Sequence, residues 1–121
     1  MDSIVALPDE SKEFSTPERC SILEVWNDAR DSAASIARAR VAPGATTQWH
    51  RLHGVVERYL IAEGCGFVEV GNAIAQAVKP GDVVVIPSQV SQRITNTGER
   101  DLVFYCICSP RFTPECYESL E

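Results

Sequence analysis

The sequence predicts a single all-β domain, built as a sandwich or a barrel. The chain has 121 residues, of which 45% are hydrophobic and 23% charged. That is enough apolar material for one core, and chains of this length rarely divide into two domains. From residue 21 onward, short runs rich in Val, Ile, Phe and Tyr are separated by Pro, Gly, Asn and Asp. This sequence pattern is typical of short strands joined by tight turns, and it leaves no segment suited to a helix of ordinary length.

Alternation of apolar and polar residues places the individual strands. Nine are predicted, at 22–27, 33–41, 48–52, 55–62, 66–70, 73–78, 83–86, 91–96 and 101–108. The turns between them contain residues that accept the required backbone angles, at Pro43-Gly44, Glu63-Gly64, Gly71-Asn72, Pro80-Gly81-Asp82 and Thr97-Gly98. Each Pro-Gly pair opens a strand that leads to a polar residue, His50 or Gln92. This weak repetition is typical of jelly rolls built from two similar halves.

The two ends of the chain differ from the middle. Residues 1–20 form an N-terminal arm that is polar apart from Ile4 to Leu7, and that apolar stretch is expected to be an edge strand or to dock on a partner. Residues 21–110 contain no linker and form the barrel. Residues 111–121 form a tail, in which Thr113 and Pro114 predict a short helix or turn on the outside of the barrel.

Composition argues against several functional classes. The net charge is −6, from 11 basic and 17 acidic residues, so the chain has no general attraction for nucleic acid or anionic lipid. The longest apolar runs, 83–87 and 102–108, fall far short of the roughly 20 residues that span a bilayer. The five cysteines form neither a C-x-x-C pair nor a disulfide framework. We expect reduced thiols, no structural zinc site and a cytoplasmic location.

The candidate chemistry lies between two glycine turns in the middle of the chain. His50, His53 and Glu57 occur within eight residues, and imidazole plus carboxylate is a ligand set that iron, manganese, nickel and zinc accept. Successive side chains of a strand point to opposite faces. His50 and His53 therefore face opposite ways unless a bulge or the following turn breaks the alternation.

Around these residues the sequence resembles the cupin superfamily. The first cupin motif is G-x5-H-x-H-x3 or x4-E-x6-G, and it is matched here by Gly44, His50, Glu57 and Gly64. The second histidine position holds Leu52. In the alternative register, His53 is the second histidine and Arg51 replaces the first.

A second motif follows in the right order. The pattern G-x5-P-x-G-x2-H-x3-N is matched by Gly81, Pro87 and Asn96. Gln89 replaces the motif glycine, and Gln92 replaces the motif histidine. The resemblance covers roughly residues 42–110.

The resemblance implies a single-domain jelly-roll β-barrel, also called a double-stranded β-helix, which is commonly a homodimer with its site inside the barrel. It implies a divalent metal, Mn, Fe, Ni or Zn, held by His50, Glu57 and Gln92, with His53 as a candidate fourth ligand. An amide oxygen is a weaker ligand than imidazole for these metals. The site therefore binds metal loosely, binds it with water completing the shell, or binds none. Without metal, His50 and Glu57 would form a buried hydrogen-bonded pair.

Strand parity extends the expected pocket. Gln48 shares a face with His50, and Tyr59 shares one with Glu57, so both are candidates to contact a ligand. Further lining residues are expected at Leu52, Ile94 and Phe104.

Three functions remain open at this point. The first is a small-molecule-binding cupin, acting as a metal-dependent isomerase, lyase or dioxygenase on a small polar metabolite, with Glu57 or Tyr59 handling protons. The second is a non-catalytic, metal-free binding or sensor module. The third is a structural homodimer in which the N-terminal stretch adds to a partner's sheet.

Overall fold

Strands make up almost all of the regular structure in the computed structural model, which describes residues 1–121. Besides the strands, there are two single 3-10 turns, Glu10–Lys12 and Pro114–Cys116. Neither helical turn has the length or the apolar character that a membrane-spanning helix needs. The strands are β1 (Phe14–Ser15), β2 (Ser21–Trp26), β3 (Ser35–Val41), β4 (His50–Leu52), β5 (Val56–Glu63), β6 (Gly66–Val70), β7 (Ile74–Val78), β8 (Val83–Ile86), β9 (Gln92–Asn96), β10 (Leu102–Ser109) and β11 (Tyr117–Ser119).

The strands form two antiparallel sheets. One has six strands in the order β1-β2-β3-β10-β5-β8, and the other has five in the order β11-β4-β9-β6-β7. Burial alternates along the central strands, so that Tyr59 and Ile61 of β5 face Ile94 of β9 in one apolar cluster, together with Val41 and Phe104. The predicted all-β jelly-roll barrel is confirmed, and each of the nine predicted strands corresponds to one of β2 to β10.

Two motif residues have structural roles. Gly64 has a φ of +77°, and a Cβ atom there would lie 2.7 Å from the carbonyl oxygen of Asp101, so only glycine fits. Asn96 is buried, and its Nδ2 donates to the carbonyl oxygens of Val41 and Arg100 at 2.8 and 2.7 Å. These residues therefore hold the barrel together, which explains why the motifs predict fold well.

The tail contains the expected turn and an additional strand. Thr113 makes no side-chain cap hydrogen bond, and the helical part is only the 3-10 turn Pro114–Cys116. The chain then continues as β11, which pairs with β4. The reason is that β4 would otherwise leave a row of backbone groups without partners at the sheet edge.

The N-terminal arm differs from the expectation of an edge strand at Ile4 to Leu7. That stretch is not part of a strand, and Val5 and Leu7 are 85% and 83% exposed. The edge strand is Phe14–Ser15 instead, which pairs with β2. The stretch buries little of its apolar surface against its own barrel. The hydrophobic effect therefore does not favour pairing of this stretch with any strand of the barrel.

Candidate functional site

A cavity of about 760 Å³ lies against the inner face of β2, β3, β5 and β10. β4 and β11 of the other sheet also contribute to it. The rest of its lining comes from residues outside these strands, namely Phe14, Pro17, Glu18, Cys20, Asn27, Thr47, Gln48 and residues 111–115. Much of the wall is apolar, formed by side chains such as Ile22, Leu52, Phe104 and Phe112. A mostly apolar cavity with a few polar groups is typical of small-molecule sites.

His50 is held in one tautomer at the start of β4. Its Nδ1 lies 2.8 Å from the backbone oxygen of Gln48, and because a carbonyl can only accept, Nδ1 must carry the proton. The Nε2 lone pair then has no protein partner. The ring of Tyr117 stacks on the imidazole with a centroid separation of 5.0 Å. Burial lowers the pKa of His50, which favours the neutral ring.

Glu57, Gln92 and Tyr59 form a hydrogen-bonded chain beside the cavity. Nε2 of Gln92 donates to Oε1 of Glu57 at 2.8 Å, and the hydroxyl of Tyr59 donates to Oε1 of Gln92. The thiol of Cys108 donates to Oε2 of Glu57 at 3.6 Å. Burial raises the pKa of Glu57 above its usual range, although the hydrogen bonds from Gln92 and Cys108 oppose this shift. Burial also raises the pKa of Tyr59, so its hydroxyl keeps its proton.

These donors do not fit a divalent metal ion. The Gln92 amide is committed to Tyr59 and Glu57, and both oxygens of Glu57 already accept hydrogen bonds. Leu52 has no atom that can coordinate a metal ion. Among the motif positions, the Nε2 of His50 is therefore the one donor atom without a hydrogen-bond partner in the protein. No group of three or more His, Cys, Asp or Glu side chains is arranged to hold a metal, whereas tightly held transition metals use three or four such donors.

His53 lies outside the cavity. Its Nε2 is 2.6 Å from Oε1 of Glu118, and its side chain is 42% exposed. Arg51 contacts the same carboxylate oxygen at 2.7 Å. The period-two alternation therefore holds from His50 to His53, with His50 inside and His53 outside, and it is interrupted only at the turn at Gly54.

The other expected lining residues are mostly in place. Gln48, Leu52, Tyr59 and Phe104 line the cavity, and the rings of Tyr59 and Phe104 are 4.5 Å apart. Ile94 is the exception, because it is fully buried in the apolar core and does not reach the cavity.

Sequence reasoning missed Glu18. Its side chain lines the cavity, and burial together with the nearby Glu57 raises its pKa to about 7. It precedes β2 and lies outside both motifs, so no local pattern marked it. The cavity thiols are inert by comparison, since burial raises the pKa of Cys20 to about 11 and that of Cys106 well above its usual range.

Known proteins resemble this chain in sequence and fold. The oxalate-binding protein of Thermotoga maritima is 35% identical over 78 residues, which is 64% of this chain and 63% of that protein. The match thus spans slightly less than two thirds of that relative's length.

Three solved structures share the fold. A Thermotoga maritima protein described as a predicted oxalate decarboxylase is 26% identical, with a TM-score of 0.71 over 87% of this chain and 93% of that one. Pac13 of Streptomyces, described as a nucleoside dehydratase, is 15% identical, with a TM-score of 0.81 over 99% and 92% of the two chains. KdgF of Halomonas sp. is 18% identical, with a TM-score of 0.76 over 88% and 94%.

The model of the family described as "Cupin domain" matches residues 37–108, which is more than half of the chain and includes both motifs. The chain therefore belongs to the cupin family.

Proposed function

We propose that the cavity is a metal-independent acid–base site, in which a small organic molecule undergoes an isomerase or lyase reaction. One observation carries this proposal. The backbone oxygen of Gln48 fixes His50 so that its Nε2 lone pair is free in the same cavity as the carboxyl group of Glu57.

His50 supplies the base. Its lowered pKa keeps the ring neutral near pH 7, and a neutral imidazole with a free Nε2 can accept a proton from a substrate. The stacked ring of Tyr117 and the bond to Gln48 fix the direction of that lone pair. The base therefore needs no reorganisation before it acts.

Glu57 supplies the acid. Its raised pKa favours the neutral carboxyl, which can donate a proton. In an elimination, Nε2 of His50 would take a proton from carbon, the bond from the neighbouring carbon to its hydroxyl would break, and Glu57 would protonate the departing oxygen to give water. Proton exchange with solvent would restore both groups. In an isomerisation, the same two groups would remove and return protons at neighbouring atoms.

Solvent deuterium exchange tests this proposal whatever the identity of the substrate. Untagged protein, free of metal by elemental analysis and kept in EDTA, would be incubated in D2O with hydroxy acids, sugars, nucleosides and amino alcohols. Proton NMR would then detect deuterium entering a carbon-bound position. We expect exchange on at least one compound.

The two histidines provide matched variants. His50→Gln should abolish exchange, whereas His53→Gln, which removes an imidazole outside the cavity, should retain it. Exchange that stops in EDTA, or that survives in His50→Gln, would contradict the proposal.

A second candidate is metal-assisted binding of a small dicarboxylate, favoured by the 35% identity to the oxalate-binding protein. It would require Glu57 and Gln92 to give up their present hydrogen bonds. Calorimetric titration of oxalate with and without Mn²⁺ separates the candidates. Oxalate that binds only with Mn²⁺, and not to His50→Gln, would favour this second function.

A further inference from the structure

Four carboxyl groups line the cavity, including that of Glu57, and they indicate what kind of ligand the cavity takes. The cavity is lined by Glu18, Glu24, Glu57 and Glu115, whereas the only cationic side chain in its lining is Arg111. Nη1 of that arginine already donates to Oδ1 of Asn27 at 2.9 Å. Because Asn27 is a neutral amide, this bond leaves the charge of Arg111 in place, so the lining holds four carboxyl groups and one cation.

Glu18 is the carboxyl group best placed to contact a ligand. Its backbone oxygen accepts from the amide of Gln48 at 3.1 Å, and its backbone amide donates to Oγ1 of Thr16 at 3.2 Å. The carboxyl group itself makes no hydrogen bond. The backbone of Glu18 is thus held by hydrogen bonds, while its carboxyl group is free to bind a ligand. One of these backbone bonds is to Gln48, the residue that orients His50.

The neighbouring cation cannot neutralise Glu18. Arg19 has a φ of +68°, in the left-handed region that is unfavourable for a side chain of this kind. Its guanidinium donates to both carboxylate oxygens of Glu121, at 3.1 and 2.8 Å, and to the backbone oxygen of Thr46 at 2.7 Å. Arg19 is therefore paired with Glu121 and Thr46, at the cost of an unfavourable backbone conformation. The carboxyl group of Glu18 has no cationic partner and remains available in the cavity.

A second, independent feature points to a ligand in the same space. His50 is only 5% exposed, yet its Nε2 has no partner in the protein. This acceptor opens on the cavity, where a bound molecule can donate a hydrogen bond to it. The aromatic rings of Tyr117 and Phe112 also line the cavity, and aromatic faces attract organic cations.

We infer that the natural ligand carries a protonated amine, and that Glu18 binds this group while His50 contacts the rest of the molecule. The inference rests on the proposed function and specifies its substrate class. The amine would form a charge-assisted hydrogen bond with the Glu18 carboxylate, which is stronger than a neutral one. A simple dicarboxylate such as oxalate is the opposite kind of ligand.

Three probes with one ring and different charges test the inference on the unmodified protein. Benzylamine, benzyl alcohol and benzoate would be titrated separately while amide NMR shifts are followed, about one pH unit above the pKa of about 7 of Glu18. We expect benzylamine to bind about tenfold more tightly than benzyl alcohol, and benzoate to bind most weakly. Equal binding of amine and alcohol, tighter binding of benzoate, or no binding of benzylamine up to about 10 mM would overturn the inference.

Variants then assign the preference to one residue. Glu18→Gln should remove most of the amine preference, whereas Glu99→Gln, a charge-matched change at an exposed position, should retain it. An amine preference that survives in Glu18→Gln would show that Glu18 is not the binding group. His50→Gln should lose deuterium exchange but keep the amine preference, so failure of the proposed chemistry is distinguishable from failure of the ligand assignment.

The pH dependence provides another readout. In unmodified protein, benzylamine affinity should fall about one pH unit below the pKa of about 7, because Glu18 is then mostly protonated. In Glu18→Gln that fall should disappear, and a fall that persists would overturn the assignment. Burial raises the pKa of the other acidic groups near Glu18 and lowers that of His50. The variant leaves all of these groups in place, so a fall that disappears in Glu18→Gln is assigned to Glu18. The acidic groups are Cys20, Glu57, Tyr59, Cys106 and Tyr117.

Discussion

Gln92 and Glu57 join the two sheets of the barrel, since Nε2 of Gln92 on β9 donates to Oε1 of Glu57 on β5 at 2.8 Å. Gln92 occupies the second motif's histidine position, and an amide can do there what an imidazole cannot. It accepts from Tyr59 through oxygen while it donates to Glu57 through nitrogen. The substitution thus converts a metal-ligand position into a link between an acid and a phenol.

Gln92→Ala should destabilise the protein. Glu57 and Tyr59 would each lose a buried hydrogen-bond partner, and we expect the free energy of unfolding to fall by about 2 to 4 kcal/mol. Urea denaturation measures this change. Gln76→Ala on the exposed face of β7 is the control, and a loss as small as the control's would show that the amide link contributes little.

Gln92→His should create a metal site. The variant would place a second imidazole near His50 and Glu57, giving three donors of the kind that nickel and manganese accept. We expect Ni²⁺ affinity, measured by calorimetry, to increase at least about tenfold over the unmodified protein. Gln76→His controls for binding to an exposed imidazole. Unchanged affinity would mean that the three side chains cannot converge.

Glu18→Gln should stabilise the protein in a pH-dependent way. The folded-state pKa of Glu18 is raised to about 7 from 4.5, so the folded state holds a proton that the unfolded state releases between these values. Stability therefore falls as pH rises through this window, and the variant lacks this loss. Urea denaturation should show no gain below about pH 4.5 and a gain of about 1 to 2 kcal/mol above pH 7, after allowance for partial exposure. An equal effect at both pH values would contradict the buried-carboxyl explanation.

Removal of residues 1–8 tests the expected homodimer, which remains a prediction. Ile4, Val5 and Leu7 expose large apolar side chains, and a partner's sheet would cover them. Light scattering after size exclusion should give a dimer for the full chain and a monomer for the shortened one. Persistent dimers in the shortened chain would place the interface elsewhere.

Local patterns predicted most of the fold. The period of two located nine strands and predicted that His50 and His53 face opposite ways, because strand alternation is a local property, but it left open which of the two faces the cavity. The motif glycines and Asn96 marked turns whose backbone angles or hydrogen bonds few other residues satisfy.

Long-range contacts explain what was missed. β11 forms because β4 has an open edge, and that edge depends on a sheet order no single segment reveals. Glu18 reaches the cavity through bonds to Gln48 and the segment around it, thirty residues away. The hydrogen bond from Gln92 to Glu57 likewise connects strands of two different sheets. No local sequence pattern therefore shows whether Gln92 is a metal ligand or a hydrogen-bonded structural residue.

The ion pair between Arg19 and Glu121 spans 102 residues of sequence and joins the segment before β2 to the C-terminal tail. Glu18 lies beside one end of this pair, and Tyr117 lies four residues before the other. Part of the cavity lining, including Glu18 and Tyr117, therefore comes from segments outside the family match at residues 37–108. Insertions, deletions or exchanges at the ends of such a chain can change what the cavity binds while the barrel stays intact. Divergence of specificity in this architecture thus need not reduce stability.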